Sequence, residues 1–191
     1  MIVANYSTPA NYFHALRQQV KRDVKKPLII MTPKSLLRHP KCVSTPDDLT
    51  DGGVQEVIPA ETDPAETTRH ILCSGKVHYD LVEALEDDDR RDEIAITRLE
   101  QFYPFPNDEV RKELEGYADA DETVWVQEEP ANMGAWSFVR PRLDDLLEEI
   151  HGPCEQRIRY VGRPASASPA TGSAKVHDRE QEQVVSNAVD V

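Results

Sequence analysis

The chain has no closely spaced cysteines. Cys42, Cys73 and Cys154 are scattered and odd in number, which excludes a disulfide framework and points to a reducing compartment, the cytoplasm. Its six histidines, His14, His39, His70, His78, His151 and His177, include no pair one helical turn apart, so no metal site is expected. No apolar run approaches the ~18 residues of a membrane span, and the N-terminus lacks the basic-then-apolar pattern of an export signal. Positive charge is also scarce. Lys and Arg total 22 against 35 for Asp and Glu, a net charge of -13, and such a chain is not drawn electrostatically to nucleic acid. The acidic excess reads as a solvated surface or as a face for a basic protein partner.

What is present fits a single α/β domain. The 191 residues can bury a core without covalent staples. We divide them into an N-terminal segment with a helix (1–26), a first strand with a loop-rich insertion (27–66) and a regular α/β part (67–191). Thr8 and Pro9 begin a helix over 8–23, in which Tyr12, Phe13, Leu16 and Val20 recur at helical spacing. Leu28 to Met31 form a continuous apolar run, expected as the first strand of the sheet and covered on both faces. Residues 32–66 carry five prolines and two adjacent glycines and predict loop, with a short helix after Ser44 and a minor strand over 54–58. Strands then alternate with helices: strand 71–74, helix 76–86, strand 94–99, helix 107–117, strand 124–127, helix 136–150, strand 157–161 and a last helix over 176–189. This order predicts an open, mainly parallel five-stranded sheet with helices on both faces, because parallel neighbours need crossover connections. Residues 162–173, GRPASASPATGS, should be loop.

Six runs carry a more specific signal. They are STPANYFHALR (7–17), PLIIMTPKSLLRHP (27–40), LCSGKVHYDL (72–81), RLEQFYPFP (98–106), WVQEEPANMGAW (125–136) and YVGRPASASPATGSAKVH (160–177). In this order they resemble the C-terminal end of the 2-oxoglutarate dehydrogenase first component, a thiamine diphosphate enzyme of the tricarboxylic acid cycle. The resemblance implies a fold like the transketolase C-terminal domain. It also implies oxidative decarboxylation of 2-oxoglutarate, with the succinyl group passed to the lipoyl arm of dihydrolipoyl succinyltransferase. The implied partners are the remaining domains of the same enzyme, its homodimer partner and that transferase. A Gly-Asp-Gly segment leading to paired asparagines would hold magnesium and diphosphate in such an enzyme. This sequence contains neither Gly-Asp-Gly nor adjacent asparagines, so we expect no cofactor site and no catalytic residue in the chain. Met1 falls just before the first of the six runs, as though the sequence began at a domain boundary.

Several polar groups sit where ligands usually bind, at strand ends. Lys34, Ser35 and Arg38 follow the first strand and could form an anion site; the plainer reading is a turn, with both cations paired to acidic neighbours. Ser74 and Lys76 open a helix after a strand, where free amides could receive an anion, although helix capping explains them as well. Glu128 and Glu129 could exchange protons, but contact with an adjoining domain is the stronger reading. Arg163 and Lys175 bracket the 162–173 loop and are further candidates for contact between domains. Some actinobacterial relatives bind acetyl-CoA in this domain. Arg17 and Gln101 match positions of that site, but Asn107, Asp108 and Glu109 stand where an arginine pair would be needed, and carboxylates repel a phosphate-rich effector. Cys73 has nothing nearby to lower its pKa and is expected to be buried rather than nucleophilic.

Three functions follow. The first is an assembly domain of the thiamine-dependent enzyme, which predicts an exposed apolar face. The second is a free-standing module for a small anion or nucleotide. The third, a hydrolase or transferase using Glu128 or Cys73, lacks a nucleophile, base and orienting group that can be named together.

Overall fold

A computed structural model describes residues 1–153 and 157–190; Cys154 lies outside them. The regular part matches the alternation read from the sequence. The strands β3 (Val57–Ile58), β4 (Arg69–Cys73), β5 (Ile94–Leu99), β7 (Glu122–Val126) and β8 (Arg159–Val161) form one sheet in the order β3-β5-β4-β7-β8. All its pairings are parallel except β3 with β5. Its helices are α3 (Val77–Ala84), α4 (Asn107–Gly116), α5 (Trp136–His151) and α6 (Ala174–Val189).

Alternation along the strands splits the core in two, because successive side chains leave opposite faces. Ile71, Cys73, Val124 and Val126 point to one face and pack with Val77 and Leu81 of α3 and Val184 and Ala188 of α6. Leu72, Leu99 and Trp125 point to the other and pack with Val110 and Leu114 of α4 and Val139, Leu143 and Leu147 of α5. Arg69 fixes the end of α6. Its guanidinium donates to the Ala188 and Asp190 carbonyls at 2.8 and 2.7 Å, a cation meeting the negative end of a helix.

The first forty residues depart from expectation. The run at 28–31 does not join the main sheet. Instead β1 (Ile2–Ala4), α1 (Pro9–Lys21) and β2 (Leu28–Ile30) form a βαβ unit in which β1 and β2 are parallel. The strand β6 (Gln101–Tyr103) pairs antiparallel with β1, giving a second sheet ordered β2-β1-β6. The minor strand β3 takes the fifth place in the main sheet. β2 is not covered on both faces either: Ile29 and Met31 are 46% and 40% exposed. An apolar run specifies a strand but not which sheet receives it. The short helix after Ser44 is α2 (Pro46–Thr50), held by a reciprocal capping box between Thr45 and Asp48.

Candidate functional site

After β4 the chain crosses through α3, on the face shared with α6, to β5, and after β7 it crosses through α5, on the opposite face, to β8. The loops leaving β4 and β7 therefore turn to opposite faces of the sheet and leave a crevice at its carboxyl edge, where α/β sheets bind ligands. A cavity of about 310 Å³ lies there, walled by Val3, Phe102, Trp125 and Phe138, with Asn5, Ser74, Gln127 and Glu129 as its polar members. Among the described residues, no Lys or Arg lines it.

Gln127 shapes this edge. Its Oε1 accepts from Trp125 Nε1 and the Trp136 N–H, both at 3.0 Å. Its Nε2 donates to the carbonyls of Glu129, Pro130 and Met133 at 3.1, 3.3 and 2.8 Å. One buried amide thus folds the EEPANMG turn and starts α5.

Beside it, the Lys76 ammonium meets Glu128 at 2.8 Å and Asp80 at 2.7 Å, and Gln181 Nε2 donates to the same Asp80 oxygen at 2.7 Å. Burial opposes the charge on Lys76, but Glu128 and Asp80 together hold its pKa above the ordinary lysine value. Burial also pushes the Glu128 carboxyl up, and Lys76 only partly reverses this. Two carboxylates surround one cation, so Lys76 is engaged internally. Ser74 does not cap α3: Lys76 occupies the cap position, and among the described residues no side chain bonds the helix start and the buried Ser74 hydroxyl has no partner.

The other candidates are dispersed. Lys34, Ser35 and Arg38 lie exposed in a 3-10 turn, Lys34–Arg38, and neither cation has an ion pair among the described residues. Arg17 is exposed on α1, whereas Gln101 is buried and donates to the Pro104 carbonyl at 3.0 Å. Arg163 reaches inward. It donates to the Glu128 carbonyl at 2.6 Å and the Pro169 carbonyl at 3.0 Å, and pairs with Glu180 at 3.5 Å, tying the 162–173 loop to α6. Glu129 and Lys175 are exposed. Cys73 is fully buried, and burial pushes its thiol up to about 12, so it is no nucleophile near neutral pH.

Two features were missed in the sequence. The first is Glu100, fully buried just after β5. Its Oε2 accepts from the Ser7 backbone N–H at 2.8 Å and from Asn11 Nδ2 at 2.9 Å, so the carboxylate sits at the positive start of α1. Around it, Asn11 also exchanges bonds with the Gln55 backbone, Tyr79 donates to the Ser7 carbonyl at 2.6 Å, and Arg98 donates to Ser7 Oγ at 3.0 Å. This clasp joins the βαβ unit to the main sheet. The signal available was Asn11 and His14 at helical spacing opposite the apolar stripe.

The second feature is the orientation of that stripe. Asn11, His14 and Ala15 of α1 are buried, while Phe13, Leu16 and Val20 are exposed at 43%, 47% and 76%. Asn11, His14 and Ala15 thus face in, with Tyr12 half-buried against Ala4 and Tyr6, while Phe13, Leu16 and Val20 face out. Among the described residues, every exposed large apolar side chain lies between Met1 and Leu49 except Tyr103, which pairs with Val3 of β1.

Residues 43–189 match the family described as 2-oxoglutarate dehydrogenase C-terminal. The chain belongs to this family. It is 45% identical to the 2-oxoglutarate dehydrogenase E1 component of Haemophilus influenzae over 96% of its length and 19% of that protein's. It is 50% identical to the E1 component of Brucella anthropi over 93% of its length and 19% of that protein's. The Brucella ovis E1 component is 49% identical, with 93% and 18% covered. The chain thus spans about a fifth of the length of these relatives. Its similarity to them reaches ahead of the family's C-terminal region into the βαβ unit, because coverage of 93% or more cannot be met by 43–189 alone. The mixed α/β fold with its mainly parallel five-stranded sheet is the transketolase C-terminal type expected for the family.

The residues present do not suit thiamine diphosphate and magnesium. The sequence holds no Gly-Asp-Gly or paired asparagines, and among the described residues no group of His, Cys, Asp or Glu is placed to hold a metal ion. No helix among them is long and apolar enough to cross a membrane.

Proposed function

We propose that the chain acts as the C-terminal assembly domain of a cytoplasmic 2-oxoglutarate dehydrogenase E1 component and does no chemistry by itself. The complete enzyme would oxidatively decarboxylate 2-oxoglutarate with thiamine diphosphate and magnesium, and would succinylate the lipoyl group of dihydrolipoyl succinyltransferase. The partners of this chain would be the remaining domains of that enzyme, and through them its homodimer partner and the transferase.

The outward apolar stripe of α1 carries this reading. A helix that buries Asn11 and His14 and exposes Phe13, Leu16 and Val20 is stable in water only at the expense of hydrated apolar surface, and such a patch marks an interface. The part of the relatives that this chain does not match is the natural cover. The test is copurification of the chain with the unmatched part of the Brucella anthropi relative. A saturable complex that Leu16→Glu abolishes supports the reading, and no complex with the unchanged chain removes it. The rival module for a small anion or nucleotide gains little, since the strand-end cavity has no cationic lining and Lys76 is held by two carboxylates.

A further inference from the structure

On one face of the main sheet, α3 and α6 cover β4, β7 and β8, and the next strand, β5, lies beside a groove. Side chains alternate along β5, so Ile94, Ile96 and Arg98 all project to this face. The groove, about 340 Å³, has Ile94 and Ile96 as its floor and Val82 and Leu85 of the α3 side as one wall. The other wall is the 59–62 segment, which is held in place: Thr62 Oγ1 donates to the Ile94 carbonyl at 3.1 Å, and the Tyr117 hydroxyl donates to the Thr62 carbonyl at 2.8 Å. Strands of a parallel sheet are ordinarily covered on both faces, yet Ile96, in the middle of β5, is left half-buried.

The two ends of the groove differ in charge. At the carboxyl end of β5 stand Arg98 and, from the first turn of α3, His78. Arg98 is half-buried, donates to Ser7 Oγ at 3.0 Å and has no ion pair among the described residues. His78 Nδ1 is buried without a partner among the described residues, and burial, with Arg98 nearby, lowers its pKa to about 3, so the ring is neutral near pH 7. A partly desolvated guanidinium with donors to spare, beside a neutral imidazole, suits one carboxylate. At the opposite end Arg91 is accompanied by Glu61 and Glu86, the latter paired with Lys41 at 2.8 Å. A second carboxylate on the ligand would meet repulsion there. From Arg98 to Ile94 the strand advances about 13 Å, and from His78 to Leu85 the helix about 10 Å, the reach of a chain of roughly six to eight carbons.

We propose that this groove binds a linear monocarboxylate of medium chain length, with its carboxylate on Arg98 and His78 and its apolar chain along Ile96 and Ile94. Every residue lining the groove falls within 43–189, and none belongs to α1 or β2. The site is therefore separate from the assembly surface, and its test does not depend on that reading.

Titration of the chain with butyrate, hexanoate, octanoate, octylamine and glutarate, followed by methyl NMR and calorimetry, tests it. Octanoate shifts the Val82 and Ile96 methyls, and affinity rises about two- to fourfold per added methylene from butyrate to octanoate as the chain covers more of the floor. Octylamine, with the wrong charge at Arg98, and glutarate, with a second carboxylate, bind at least about tenfold more weakly than octanoate. Val82→Phe fills the groove without touching Arg98 or Ser7, and weakens octanoate by about tenfold or more while thermal unfolding changes little. Arg98→Gln removes the discrimination between octanoate and octylamine, a readout that a loosened fold alone does not give. Shifts centred on Leu16 of the exposed α1 stripe in place of Val82 and Ile96, octylamine binding as tightly as octanoate, unchanged octanoate binding by Val82→Phe, or no binding at millimolar octanoate would each overturn the site.

Discussion

Replacing Glu100 by leucine should loosen the join between the βαβ unit and the main sheet. The carboxylate is fully buried and is the acceptor for the Ser7 N–H at 2.8 Å and Asn11 Nδ2 at 2.9 Å. Leucine fills similar space but accepts nothing, so a buried backbone donor and half of a buried amide lose a partner at about 1–3 kcal/mol each. Asn11 Nδ2 keeps its bond to the Gln55 carbonyl, and removing a buried carboxyl returns some desolvation energy. The expected net loss is about 2–3 kcal/mol. Glu100→Gln retains an acceptor and should lose less. Urea unfolding gives the global value, and exchange of the Ser7 and Asn11 amides locates it.

The loss should also depend on pH. Burial raises the Glu100 pKa above the ordinary glutamate value, and the bonds to Ser7 and Asn11 only partly reverse this. In the window above the unfolded pKa, the folded state holds a proton that the unfolded state releases, so this group contributes less stability as pH rises through the folded pKa. The cost of Glu100→Leu should then be larger near pH 5 than near pH 8. A leucine variant as stable as the parent, or one whose cost grows with pH, would refute the role given to this clasp.

His70 is buried, bonds Thr97 Oγ1 at 2.9 Å, and has its pKa lowered by burial to about 3. A histidine depressed on folding supplies stability above its unfolded pKa near 6.5 and loses it on acidification, so going from pH 7.5 to 5.5 should cost about 1.4 kcal/mol through this residue; equal pH slopes for the parent and His70→Asn in urea titrations would count against it. Leu143 is fully buried between α5 and the sheet, and Leu143→Ala should lower the unfolding free energy by about 2–5 kcal/mol without altering association through α1. Gly75 has φ 72° and lies against the Asn5 side chain, so Gly75→Ala meets both backbone strain and a clash and should cost at least about 1 kcal/mol in thermal unfolding.

The main sheet was legible because its strands are buried on both faces and read as apolar runs separated by amphipathic helices. Ile71 to Cys73 and Val124 to Val126 announced themselves in that way, and the helices between them followed. β1 and β6, three residues each, carry no such pattern, and their pairing is set by the distant partners they meet. The same limit placed β2 in the wrong sheet. Periodicity announced the stripe on α1, but it cannot say whether a stripe faces a core or a partner; the buried Asn11 and His14 decide that. Among the candidate residues, Ser74 and Glu129 stand out in the sequence by their strand-end position, and both line the crevice. That position could not foresee that Glu128 would share Lys76 with Asp80, one turn along α3, or that Arg163 would turn inward to the Glu128 carbonyl, because Glu128 is remote in sequence from both.

The role proposed for this chain is to complete an E1 component without doing its chemistry. The most direct measurement is 2-oxoglutarate-dependent release of carbon dioxide by the unmatched part of the Brucella anthropi relative, supplied with thiamine diphosphate and magnesium, before and after addition of this chain. The chain alone should release none, and combining the two should give a saturable rise that Leu16→Glu abolishes. Release by the chain alone, or a combined rate no greater than that of the unmatched part, would contradict it.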